Sequence, residues 1–217
     1  MDLIWRYDGR STALFVAGPD TTAQVSQLPM GTHFIGVRFE PGAAAVALGV
    51  PASDLVDARP DAGALWGRVA GELTRRLMDT TSPGAAAAVL QDAVYRRLAS
   101  APCPEPDALV RRVVAVLEHG PRRGPMLVGQ LASRLGISER QLHRRCLGQL
   151  GYGPRTFAGI VRFQRFLELA ELAASPGALG LAALAAEGGY ADQSHLTREV
   201  QRLAGVTPAR LLAELAS

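Results

Sequence analysis

Leu131-Ala-Ser-Arg-Leu-Gly-Ile-Ser-Glu-Arg-Gln-Leu-His-Arg-Arg145 reads as a short helix, a glycine turn and a second helix. Leu131, Ala132 and Leu135 set apolar groups on one face of the first helix. Gly136 ends it, because glycine accepts the positive φ of a helix C-terminus. Ser138 caps the next helix, and Gln141 three residues on completes a capping box. Two helices joined by so short a glycine turn are a helix-turn-helix, whose second helix can enter a DNA major groove. Leu142 and Cys146, four residues apart, face inward, which leaves Arg140, His143 and Arg144 together on the outer face. An arginine fork can take guanine O6 and N7 together. By itself the stretch also fits a solvated basic face on an ordinary helical hairpin.

A second copy decides between the two. Leu184-Ala185 repeats Leu131-Ala132, and Gly189 repeats Gly136, with one residue more in the second turn. Beyond that turn the offset is 54 residues: Asp192 falls on Ser138, Leu196 on Leu142, Arg198 on Arg144, Gly205 on Gly151 and Pro208 on Pro154. Asp192 is a strong N-cap residue. Leu196, Val200 and Leu203 form the inward stripe, and Gln193, Ser194, Thr197 and Arg198 face out. Between the copies, Gly153-Pro154 starts a long helix, since proline is tolerated at the first position. Its apolar side is Phe157, Ile160, Val161, Phe166, Leu167 and Ala170, and Ser175-Pro176-Gly177 breaks it after about Ala174. Some 20 residues at a 1.5 Å rise give about 30 Å, close to the ~34 Å of one DNA turn. One chain can then set two reading helices into successive major grooves.

The stretch from about Ala108 to Ser217 resembles the DNA-binding domain of the AraC/XylS family of transcription regulators. Gly189-Tyr-Ala-Asp-Gln-Ser-His-Leu-Thr-Arg198, followed by Gly205-Val-Thr-Pro208, carries the likeness. The resemblance implies base-reading positions at Arg140, His143 and Arg144 in the first copy and at Gln193, Ser194 and Arg198 in the second. It implies phosphate contacts at His195 and Thr197. The chain departs from the pattern at Glu199, where the family has an aromatic or basic residue, and at Val200, where it commonly has phenylalanine. A carboxylate beside phosphate is repulsive, so Glu199 is expected to point away or to weaken binding there.

Charge divides along the same line. Residues 1–106 hold 9 Arg against 11 Asp and Glu, and residues 107–217 hold 14 against 9. A basic half beside a mildly acidic one fits nucleic-acid binding confined to one domain. The chain has no lysine, as GC-rich coding would give, and no mechanism follows from it. No apolar run reaches the roughly 18 residues that span a bilayer, and the charged start lacks a signal-peptide core. The expected location is cytoplasmic, without membrane association. There Cys103 and Cys146, unlike in context, are expected to be free thiols rather than a disulfide.

The first hundred residues give strands at Leu3–Tyr7, Ala13–Ala17 and His33–Phe39, with a hairpin turn at Asp8-Gly9. Ala43–Leu48 is a short helix, Ala64–Met78 a single amphipathic helix with Leu65, Val69, Leu73 and Leu77 inward, and Ser82-Pro83 opens another to about Ala99. Ala101-Pro-Cys-Pro-Glu-Pro106 is an extended linker, and Asp107 caps the helix after it. The expected class is α+β: a small, mainly antiparallel β segment with helices, then an all-α part with two helix-turn-helix units joined by a long helix. The expected domains are 1–100, a linker at 101–106, and 107–217. Phe15-Val-Ala-Gly-Pro-Asp20 and Gly36-Val-Arg-Phe-Glu-Pro-Gly-Ala-Ala44 resemble the cupin-like sensor half of actinobacterial AraC-like regulators. The chain begins where that pattern is already well into its β region. A closed barrel and a deep pocket are therefore not expected, and an open sheet edge would need cover, for which a homodimer is one means.

Trp5, Trp66 and His33 are the residues a ligand would use, and the reading taken is packing for the tryptophans and strand surface for His33. The expected function is a sequence-specific DNA-binding transcription regulator. Its expected partner is double-stranded DNA, and candidate partners are a small-molecule effector, a second copy and RNA polymerase. The alternative is an enzyme targeted to DNA by its C-terminal half, since some relatives carry a DNA-repair cysteine. Here the front half has only Cys103 and His33, with no Ser/His/Asp set, paired carboxylates or metal cluster. No catalytic residue, cofactor or metal ligand is expected. A pure interaction module with degenerate helices is opposed by intact Arg144 and Arg198.

Overall fold

A computed structural model describes residues 1–24, 28–102, 105–119, 128–173 and 180–215. Cys103 and the break at Ser175-Pro176-Gly177 lie outside them. The class is α+β. The chain folds as two units, one of Met1–Asp20, Val25–Arg111 and Arg144–Tyr152, the other of Thr21–Gln24, Arg112–His143 and Gly153–Ser217.

In the first unit, β1 (Asp2–Tyr7), β2 (Thr12–Ala17) and β3 (His33–Arg38) form an antiparallel sheet in the order β2-β1-β3. The alternation of the sequence sets the register: Leu3 lies opposite Val16 and Val37, and Trp5 opposite Leu14 and Ile35. These six side chains share one face, as a period of two requires. The hairpin turns where expected. The Asp8 carboxylate accepts from the Ser11 hydroxyl and from the backbone N–H groups of Ser11 and Arg10, which hold its pKa at about 2. The outer edge of β2 is covered, with Val16 N–H donating to Pro60 O and Gly18 N–H to Ala58 O. Among the described residues β3 carries no further strand on its outer edge.

Helices cover the inner face: α1 (Ala43–Leu48), α2 (Ala62–Trp66), α3 (Arg68–Met78) and α4 (Pro83–Ala99). Leu3, Val16, Leu48, Leu73, Leu77 and Leu90 anchor the shared core. The single helix expected over 64–78 is two. Gly67 has φ 55° and ψ −130°, outside helical space, so the chain restarts there with a new phase. The inward stripe of α3 is therefore Ala70, Leu73 and Leu77, and Val69 is exposed. A 3₁₀ turn at Ala52–Leu55 was not expected. Both tryptophans pack: Trp66 Nε1–H donates to Ala47 O at 3.2 Å, and Trp5 Nε1–H to Thr12 Oγ1 at 2.6 Å. At the far end of this unit, Tyr152 donates to Asp20 O at 2.6 Å.

The helix α5 (Ala108–His119) follows the linker, with Asp107 Oδ1 accepting from Leu109 N–H. The remaining elements are α6 (Val128–Arg134), α7 (Glu139–Leu150), α8 (Pro154–Ala173), α9 (Leu181–Glu187), α10 (Gln193–Ala204) and α11 (Pro208–Leu215). In the second unit, α8, α9 and α10 close on Phe166, Leu184, Ala185, Tyr190, Leu196 and Val200. α11 was not read from the sequence, although Pro208 repeats the Pro154 that starts α8; here Thr207 also caps the helix, Arg210 N–H donating to its Oγ1. Among the described residues no helix is long and apolar enough to cross a membrane.

Candidate nucleic-acid interface

Both turns are built from the same bonds. In the first, Gly136 adopts φ 69°, its N–H donates to Ser133 O, and Ile137 N–H reaches back to Ala132 O. In the second, Gly189 adopts φ 80°, its N–H donates to Ala186 O, and Tyr190 N–H reaches back to Ala185 O. These closures satisfy carbonyls that a helix end leaves open. The extra residue of the second turn is Ala191, between Tyr190 and the cap. Beyond it the caps match: Gln141 N–H donates to Ser138 Oγ, and His195 N–H to Asp192 Oδ1 at 2.6 Å. The capping box is closed by Ser138 N–H donating to Gln141 Oε1 at 3.0 Å.

The caps fix the phase of α7 and α10. Leu142 and Cys146 are fully buried on α7, as are Leu196 and Val200 on α10. Burial pushes the Cys146 thiol up to about 11, so it stays protonated and inert near neutrality. Arg140, His143 and Arg144 are exposed on α7, and Gln193, Ser194 and Arg198 on α10. Arg145 and Arg202, beside these sites, are engaged: Arg145 bonds Asp107 at 2.7 Å, and Arg202 lies 3.9 Å from Glu199. A base reader has to keep its fork available.

The other expected residues sit in local networks. Thr197 Oγ1 donates to Gln193 O at 2.9 Å. His195 Nδ1 accepts from Ala191 N–H at 3.3 Å, and its ring stands edge-on to Tyr190. In the second unit, Arg140 and His143 line a cleft of about 340 Å³ with Pro154 and Arg155. Arg155 escaped the sequence reading because it lies on α8, and only folding brings that helix's first turn beside α7. In the first unit, Arg144 lines a cleft with Gly49, Pro51 and Asp107.

Glu199 takes the first of the two outcomes expected for it and points away from the outer face. Its carboxylate meets Arg162 of α8 through bonds of 3.1, 3.1 and 3.3 Å, and both side chains are under one-fifth exposed. Arg162 also lies over the Tyr190 ring, 5.8 Å from its centroid. Burial, and then the Glu199 carboxylate, hold the Tyr190 phenol far above its ordinary value, so it is neutral. The departure at Glu199 thus joins α8 to α10. Glu199→Gln should cost about 1–2 kcal/mol, between an exposed pair and a fully buried one. Chemical denaturation measures this, and an unchanged midpoint would show that the pair does not join the helices.

Residues 131–214 match a family described as a helix-turn-helix domain. They form an AraC-type helix-turn-helix domain, that of the AraC/XylS regulators. Residues 1–61 match a family described as a domain of unknown function (DUF6597). No curated protein matches the chain. A helix-turn-helix domain of this type supports a DNA-binding transcription regulator, with DNA as its partner.

Proposed function

We propose that the AraC-type domain, residues 107–217, reads two successive major grooves of one duplex. In this reading α7 is the first probe, through Arg140, His143 and Arg144. The second is α10, through Gln193, Ser194 and Arg198. His195 and Thr197 approach phosphate, which fixes register rather than sequence. The observation that carries the reading is the bond-for-bond repetition of turn and cap, which sets the same exposed face on both helices. The 20 residues of α8 correspond to about 30 Å, near one helical pitch. An ordinary helix-turn-helix protein needs a dimer to present two such probes.

Selection from random duplex DNA tests this. The expected product is a pair of half-sites about 10–10.5 base pairs apart, centre to centre. Recovery of a single half-site, or of pairs with variable spacing, would overturn the two-groove reading. The first unit, in this proposal, adjusts DNA binding by taking up a small molecule.

A further inference from the structure

The inner face of the sheet is not covered along its whole length. Where β1 and β3 meet the turn between α3 and α4, a cleft of about 380 Å³ opens within the first unit. That volume lies in the range of small-molecule sites. Its wall on the sheet side is Trp5, Tyr7, Ile35 and His33, joined by Met78. Tyr7 and Met78 are 37% and 57% exposed, so two large apolar side chains of a folded unit are left wet around one concavity. The Trp5 and Tyr7 rings stack at 5.8 Å and 11°, which gives the wall a flat face. The Trp5 indole is pinned by its bond to Thr12, so the wall is preformed.

The opposite rim is polar but uncharged: Thr80, Thr81 and Ser82. Thr80 Oγ1 donates to Leu77 O, which leaves its lone pairs to accept. Ser82 Oγ accepts from Ala85 N–H, which leaves its hydroxyl proton to donate. No Asp, Glu or Arg lines the cleft, and His33 is the one lining side chain able to carry a positive charge, so a cation would lose its hydration there without a counter-ion and an anion would have that imidazole alone. A flat ring, by contrast, can extend the stack on the open side of Tyr7.

We propose that this cleft binds an uncharged, planar aromatic molecule carrying one hydroxyl or carbonyl group. The rings would take its plane, and Thr80 and Ser82 its polar group. Its role as the effector seat rests on the regulator reading above, whereas binding itself does not.

Calorimetry on the full chain without DNA tests the site, with three probes: 2-naphthol, its charged analogue 2-naphthoate, and the saturated, non-planar decahydro-2-naphthol. The expected result is one 2-naphthol per chain, bound at least about tenfold more tightly than either analogue. Tyr7→Ala and Met78→Ala, both at exposed positions, should each weaken 2-naphthol about tenfold or more at an unchanged melting temperature. Should either variant melt early, Thr81→Phe, which plugs the mouth from an exposed position, should block binding instead. Absence of saturable 2-naphthol binding, equal binding of 2-naphthoate, or variants that bind as the parent would each overturn the site. So would a second copy filling the cleft, seen as a dimer in sedimentation that 2-naphthol does not dissociate. A mobility shift with selected DNA reads the effector role separately: 2-naphthol that binds without altering DNA affinity would overturn that role alone. Loss of DNA binding by the parent chain would remove the regulator reading and leave the calorimetry standing.

Discussion

Leu142→Asp is expected to unfold the first helix-turn-helix. Leu142 is fully buried on α7, one residue from exposed His143 and two from exposed Arg144. An aspartate there places a carboxylate where no water reaches it, and also removes the leucine's packing. Together these cost about 4 kcal/mol or more, a large share of the ~5–15 kcal/mol that holds a domain together. Leu142→Met, which nearly conserves volume, should cost less than about 1.5 kcal/mol. Thermal and denaturant melts of the pair measure the contrast. A parent-like curve for Leu142→Asp would mean that the inward and outward faces of α7 have been interchanged, and the outward trio would lose its basis.

Arg198→Ala is expected to leave the fold intact and to weaken binding to selected DNA by about 1–3 kcal/mol, roughly 5- to 150-fold. Arg198 is exposed on α10, so its removal leaves no buried charge behind. The loss should fall on one half-site, whose base preference relaxes. Arg144→Ala should do the same at the other half-site, one helical turn away. Affinities for a panel of single-base operator variants distinguish reading from clamping. Equal weakening on every sequence would make Arg198 a phosphate contact, since phosphate contacts carry no sequence information.

The two units were unequally legible. The helix-turn-helix pair could be read because its signals are local: a glycine where φ must be positive, a capping residue three positions before its donor, and apolar groups on a helical period. Each acts within one turn of helix and so leaves its mark in adjacent residues. The strands were legible for the same reason, their ends falling within a residue of those expected. The long helix over 64–78 misled, because Gly67 can sit inside a helix or break it, and only the packing of Trp66 and Leu73 into the shared core chooses. The cleft beside Trp5 could not be foreseen. Trp5 and His33 were weighed as ligand residues, but the wall they share with Met78 and the rim at Thr80–Ser82 comes from segments more than 40 residues apart.

The sequence alone determined the duplicated unit, its caps, its inward stripes and its outward arginines, because helix phase is set by neighbours three and four residues away. Tertiary structure alone decided what Glu199 does. By pattern it sat near phosphate and by folding it binds Arg162, 37 residues away. A side chain's choice of charged partner depends on which is brought within hydrogen-bond distance, here 3.1 Å, and that distance is fixed by the packing of α8 against α10, not by either helix.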